Sequence, residues 1–222
     1  MLIKNGLVFR EDFSLREGDV YTEFDRIIEP KQQLDVLDAS GCIVAPGFID
    51  IHIHGANRSD FCENSLEAHA NIARYLASVG VTSYLGTTMA MKKPALLDMV
   101  RTAGKFMDHP TQDGAIMRGI NLEGPFASLE KKGAMDPNNL IDPDYDFFIQ
   151  LNDACDGRIR LNDVAPELPG ALDLIARTSK ICVVSLHHTA ADYELAKKAF
   201  MLGASHVTHL YNAMSGFSHR AP

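Results

Sequence analysis

The chain has 222 residues, 46% hydrophobic content and a formal net charge of −8, which is enough apolar material for a sizeable core. The acidic balance, without any Lys/Arg block, argues against a nucleic-acid partner. No run approaches the length of a membrane span, and the start of the chain lacks the layout of a secretory signal. Cys42, Cys62, Cys155 and Cys182 are scattered, with no CxxC pair, which argues against a disulfide framework or a four-Cys zinc site and fits isolated thiols in a reducing cytoplasm.

In chain order, residues 1–47 hold short β-type runs, "LIKNGLVF", "GDVYTEF" and "LDVLDASGCIVAPG", separated by Gly, Asp and Ser punctuation. They read as a small antiparallel β unit ending at Pro46-Gly47. From residue 48 the rhythm changes to strand, then helix, repeated. "GFIDIHI" is a strand, and "SLEAHANIARYLASV" has apolar positions at helical spacing. "GVTSYLGTT" and "AIMRGINLEG" are the next strands, with a helix from Pro94 to Met107 between them. A helix over 142–154, the strand "RIRLNDVAP", a helix over 168–178 and the strand "ICVVSLHH" follow. A helix from Ala191 to Leu202 precedes "SHVTHLYN", which opens a sixth strand.

Such alternation predicts an α/β fold with a parallel sheet. Six units point to a (β/α)8-type barrel over residues 48–222, with the unit at 1–47 as a separate small β portion. A barrel of this kind needs ~250 residues, so the chain reads as the front part of a longer one, with an incomplete barrel. Unpaired first and sixth strands favour association or aggregation of the chain by itself.

In these barrels the C-terminal strand ends carry the chemistry. Those positions hold His52 and His54, Glu123, the pair His187 and His188, and His209. Residues i and i+2 of a strand share a face, so His52 and His54 form a pincer. Imidazoles with one carboxylate suit a divalent ion such as zinc, iron or cobalt. His187 and His188 face opposite sides of a regular strand, and spacing does not choose between them. His206 points away from His209 on a regular strand and reads as packing, and His69 and His109 have no assigned role. Gly124 and Pro125 fix where Glu123 points. The fourth strand carries no Lys to bridge two ions, which leaves Glu123 as the anionic ligand.

"APGFIDIHIHG", "LEGPF", "KKGA", "VAPE", "HVTHLYNAM" and "HRAP" together resemble the N-acetylglucosamine-6-phosphate deacetylases of the amidohydrolase superfamily, across essentially the whole chain. The resemblance implies a metal-dependent barrel with a small β-sandwich built from both termini, and the deacetylation of N-acetylglucosamine 6-phosphate in amino-sugar catabolism in the cytoplasm. It implies Glu123, His188 and His209 as metal ligands, and His52 and His54 as ligands of a second position found in some members. One or two ions are implied, zinc first, with iron or cobalt as alternatives. Ala134, Asn212, Ala213 and Arg220 match substrate-contacting positions, Arg220 reaching across the interface of a full-length homodimer. The implied proton carrier is an Asp on an eighth strand, which would lie beyond Pro222, so no catalytic residue is assigned. Met135, His187 and Ala190 depart from the family pattern. The competing expectations are another amidohydrolase, acting on cyclic amides or N-acyl amino acids, and a catalytically silent fragment.

Overall fold

The structure, a computed structural model, describes residues 1–24, 26–31, 35–217 and 219–220. Ala221 and Pro222 of the "HRAP" motif lie outside the described residues. The chain divides into two compact units, Met1–Gly47 and Phe48–Pro222.

The first unit is one sheet of five strands: β1 (Leu2–Phe9), β2 (Leu15–Glu23), β3 (Arg26–Ile27), β4 (Val36–Asp38) and β5 (Ile43–Val44). It is not purely antiparallel, as the turn-rich sequence suggested. β1 pairs antiparallel with β2 but parallel with β4 and β5, because the chain crosses over after β3 instead of returning through a hairpin.

The second unit contains β6 (Phe48–Ile53), the short hairpin β7 (Gly55–Ala56) and β8 (Ser59–Asp60), then α1 (Leu66–Ser78), β9 (Val81–Thr87) and α2 (Lys93–Asp108). β10 (Ile116–Leu122), α3 (Tyr145–Ala154), β11 (Ile159–Val164), α4 (Ala171–Thr178), β12 (Val183–Leu186), α5 (Tyr193–Met201) and β13 (Ala204–Val207) follow. The helices begin where side chains replace missing backbone partners: Ser65 accepts from Ala68 N–H, Asp144 from Phe147 N–H and Asp192 from Leu195 N–H, each cap contributing roughly 1 kcal/mol. Their apolar faces, with Leu76, Leu96, Val100, Phe148, Leu174 and Ile175 fully buried, pack on the sheet and form one continuous core.

The six long strands pair in parallel and in strict chain order, β6-β9-β10-β11-β12-β13. A doubly wound sheet would reverse that order at a switch point. The sheet also curls. Five inter-strand gaps in a flat sheet would separate β6 from β13 by about 24 Å, yet the rings of His52 and His209, at the ends of those two strands, have centroids 5.8 Å apart. This is the wall of an incomplete (β/α)8-type barrel. Its inner face is polar in places: Asp163 and Thr208 are buried, and a cavity of ≈ 310 Å³ is lined by Ile51, His52, Asn121, Leu161, His206, Thr208 and His209. Among the described residues no helix is long and apolar enough to cross a membrane.

On β6, Phe48 and Ile49 are each 71% exposed and Ile51 is 41% exposed, an apolar strand paired on one side only. Sedimentation velocity on the 222-residue chain is expected to show concentration-dependent association; a single monomeric boundary at every concentration would contradict this.

His69, without an assigned role in the sequence, sits on α1 with no exposure, between Phe61 and Phe106, and neither ring nitrogen has a partner. Burial lowers its pKa from 6.5 to about 4. Because the folded-state value lies below the unfolded one, the contribution of the neutral ring is complete above pH 6.5 and drains away as pH falls toward 4, by roughly 3 kcal/mol at most. Urea midpoints of His69→Phe should therefore fall less steeply than those of the parent between pH 6.5 and 4; identical slopes would exclude the effect.

Candidate metal centre

β10 lies inside the sheet, flanked by β9 and β11, and delivers Glu123 just past its last residue. The Glu123 carbonyl accepts a hydrogen bond from Thr88 Oγ1 at 2.7 Å. Gly124 follows with φ of 122°, and a Cβ there would sit 2.2 Å from Ala90 N, so only glycine permits this exit from the strand. The carboxylate is 2% exposed.

Four imidazoles surround it. Oε2 lies 2.9 Å from His54 Nε2 and 3.5 Å from His52 Nε2. Oε1 lies 3.4 Å from His188 Nε2 and 3.3 Å from His209 Nε2. Each carboxylate oxygen thus faces its own pair of rings. Two ligand-forming groups result, His52–His54–Glu123 and Glu123–His188–His209.

The strand ends are less regular than alternation assumes. β12 stops at Leu186 and β13 at Val207, so His188 and His209 lie just beyond them, with φ of 36° and 34°. Left-handed backbone in a residue with a Cβ is strained by ~1–3 kcal/mol. These turns correct two expectations. His187 and His188 do not part to opposite sides, because both come within ligand distance of Glu123 in separate groups. His206 lines the same cavity as His209 instead of packing away from it.

Second contacts hold the rings. His188 Nδ1–H donates to the Lys131 carbonyl at 2.7 Å, and His209 Nδ1–H donates to the Asn212 carbonyl at 2.9 Å. A carbonyl only accepts, so each Nδ1 carries the proton and each Nε2 presents a lone pair to Glu123. Lone pairs facing a carboxylate oxygen repel unless a cation lies between them, and this donor set fits a divalent ion. His52 is held differently: the Asn121 amide nitrogen donates both to Ile51 O at 3.3 Å and to His52 Nδ1 at 3.2 Å. Its neutral ring then carries hydrogen on Nε2.

The electrostatics agree. Without an ion, protonated rings take the cation's place: burial alone would raise the Glu123 pKa, but hydrogen bonds from the imidazolium forms of His188 and His54 and a positive charge on His52 outweigh it and hold the carboxyl well below its usual range. Burial opposes protonation of His188 and His54, and the neighbouring Glu123 carboxylate overrides it, raising both. Burial dominates at His52 and lowers it, against the pull of Glu123. The pocket is organised for positive charge.

Among the residues matched to substrate contacts, Asn212 is tied to His209 in both directions, its N–H donating to the His209 carbonyl at 2.8 Å. Ala134 is exposed in the loop that places Lys131 against His188, Ala213 is half-buried, and Arg220 is exposed. Met135 turns inward and packs with Ala90, Ala127 and Leu140. Sequence reasoning gave no task to Glu167 of "VAPE", to Thr87 and Thr88, or to Asn121. Glu167 accepts from Thr189 Oγ1 and from Ala190 N–H, clamping the turn that carries His188. Thr87 Oγ1 accepts from Ile53 N–H at 2.9 Å. The adjacent Thr-Thr and the buried Asn121 were the visible signals, since buried polar side chains need partners.

Glu167→Ala is expected to weaken metal binding ~10–100-fold, the range for losing an outer support of a ligand, while Glu167→Gln retains part of it. Competition with a chromophoric chelator, with circular dichroism confirming the fold, checks this; equal affinity in Glu167→Ala and parent would refute the positioning role.

A model of the amidohydrolase family matches residues 43–220. N-acetylglucosamine-6-phosphate deacetylase of Bos taurus is 34% identical over the whole chain, which covers 55% of that relative. The crystal structure of N-acetyl-D-glucosamine-6-phosphate deacetylase from Mycobacterium smegmatis superposes with a TM-score of 0.86 at 30% identity, covering 100% of this chain and 59% of that one. A mutant of the Mycobacterium smegmatis enzyme in complex with N-acetyl-D-glucosamine-6-phosphate superposes equally well at 28% identity, over 58% of its length. The chain spans about half the length of the curated relatives it matches. With the family model aligned from the last strand of the first unit to the loop beyond β13, the chain belongs to the amidohydrolase family.

Proposed function

We propose that this chain supplies the metal-binding portion of an enzyme that hydrolyses the acetamide of N-acetylglucosamine 6-phosphate to glucosamine 6-phosphate and acetate. The observation that carries the reading is the Glu123 carboxylate with one oxygen toward His188 and His209 and the other toward His52 and His54, in a chain similar throughout to named deacetylases. Glu123, His188 and His209 hold the principal ion, zinc by donor type, with iron or cobalt accepted by the same set. His52 and His54 supply a second position. When bound, such an ion supplies Lewis acidity toward a carbonyl oxygen and lowers the pKa of water.

The remaining work falls to side chains and backbone. Lys131 and Asn212 carbonyls fix the tautomers of His188 and His209 and aim Nε2 at the ion. Asn212 and Ala213, past His209, and Ala134, in the loop beside His188, border the place where the sugar would lie. Arg220 suits the phosphate, because planar guanidinium donors meet phosphate oxygens in pairs, and in a homodimer it would serve the neighbouring site. No residue of this chain is given the role of proton donor to the leaving amine. The setting is cytoplasmic, as the free cysteines suggest. β11 bears no Lys, which disfavours the two-ion arrangement bridged by a carboxylated lysine that a cyclic-amide hydrolase would use.

The test is acetate release from N-acetylglucosamine 6-phosphate by the full-length protein, with and without chelator. Release is expected to need metal, and Glu123→Gln should lose more than ~100-fold, beyond the 10–100-fold typical of outer contacts. No release from metal-reconstituted protein would eliminate the assignment.

A further inference from the structure

Beside the carboxylate that the four imidazoles surround lies a second set of polar groups which that arrangement does not use. Asp163 points inward from β11 and is fully buried. Its Oδ1 accepts from Thr208 Oγ1 at 2.7 Å, and the Thr208 hydroxyl lies 2.7 Å from Ser185 Oγ. Its Oδ2 has no partner. His187, immediately after β12, is also fully buried, and neither ring nitrogen is paired. One ligand atom each from Glu123, Asp163 and His187 lie within 4.8 Å of one another.

We propose that Glu123, Asp163 and His187 form an inner divalent-cation site, distinct from the two groups that contain His52, His54, His188 and His209. An unpaired buried carboxylate oxygen and an unpaired buried imidazole are each costly, and here the two residues that carry them each bring a ligand atom within 4.8 Å of the other's and of a second carboxylate's. A proton on Asp163 would neutralise one carboxylate and leave both nitrogens of His187 bare. A divalent cation satisfies Asp163 Oδ2, one His187 nitrogen and Glu123 at once and offsets two negative charges. The Thr208–Ser185 hydroxyl chain orients Asp163 by occupying Oδ1, the usual service of an outer hydrogen bond to a ligating carboxylate. Two oxygen donors to one nitrogen make this the harder of the donor sets, which shifts its preference from Zn2+ toward Mn2+ relative to the imidazole-rich positions.

The inner site shares Glu123 with the deacetylase reading and none of its other ligands, so the two can fail separately. The chain is stripped with chelator, equilibrated with Mn2+ or with Zn2+, desalted, and its retained metal measured by mass spectrometry. Asp163→Asn and His187→Ala are each expected to retain one equivalent of Mn2+ fewer than the parent, while His188→Ala/His209→Ala loses Zn2+ from the outer position. Unchanged stoichiometry in both single variants overturns the inner site, whatever the double variant does. Should the single variants fail to fold by circular dichroism, anomalous scattering from Mn2+-soaked crystals of the parent chain decides. A peak ~2.0–2.4 Å from Asp163 Oδ2 and a His187 nitrogen is expected, and its absence overturns the proposal.

Discussion

The centre of this chain is a carboxylate taken out of water and handed to imidazoles. Glu123 is almost without exposure, and an ionised carboxyl in that position is tolerable only if its surroundings replace the lost hydration. The replacement comes from residues far apart in sequence: His52 and His54 from the first barrel strand, His188 from beyond the fifth and His209 from beyond the sixth. No local element could assemble that set. It requires a sheet that curls, so that the ends of β6 and β13 approach each other across β10. The strict chain order of the strands is therefore a functional requirement as much as a topological one, since a flat sheet would leave the outer imidazoles out of reach.

Holding the rings has a local cost. His188 and His209 both sit in left-handed backbone, a conformation that a β-substituted residue adopts only when its surroundings over-determine it. The over-determination is visible. Ser128 N–H bonds the His188 carbonyl, Glu167 clamps the next two residues, and Thr208 N–H, just ahead of His209, bonds the Leu186 carbonyl. Strain, clamps and fixed tautomers together describe a site built before any ligand arrives, which lowers the reorganisation needed on binding.

Much of this was legible in the sequence. The period change at residue 48 and the six strand–helix repeats gave the barrel wall, because apolar alternation and helical spacing act locally. His52, His54, Glu123, His209 and the pair His187 and His188 stood out for the same reason, as polar groups where apolar strands end, and the choice of His188 came only from the family resemblance. The first unit was misjudged as wholly antiparallel, since the partner of a two- or three-residue strand is chosen by tertiary packing. The directions of His187 and His206 were missed because both were inferred from regular alternation, whereas β12 stops before His187, and β13, which holds His206, stops before His209. Asp163 has no task in the sequence reading; its burial against Thr208 is a property of the curled sheet and has no signature in one strand's sequence.

The two faces of Glu123 are not equivalent, and the difference lies in the atoms behind the rings. On one side, carbonyl oxygens behind His188 and His209 force protons onto Nδ1 and leave both Nε2 atoms as acceptors. On the other, an amide N–H behind His52 occupies its Nδ1 and places hydrogen on Nε2 in the neutral ring, while His54 Nδ1 has no partner at all. An ion on the first side meets ligands already in the correct tautomer. On the second side it must displace a proton from His52 or turn its ring away from Asn121. An ion entering the His188–His209 side would need no change of tautomer, whereas one entering the His52–His54 side would need the Asn121 contact to give way. The polarity of two hydrogen bonds, more than the number of histidines, sets that difference.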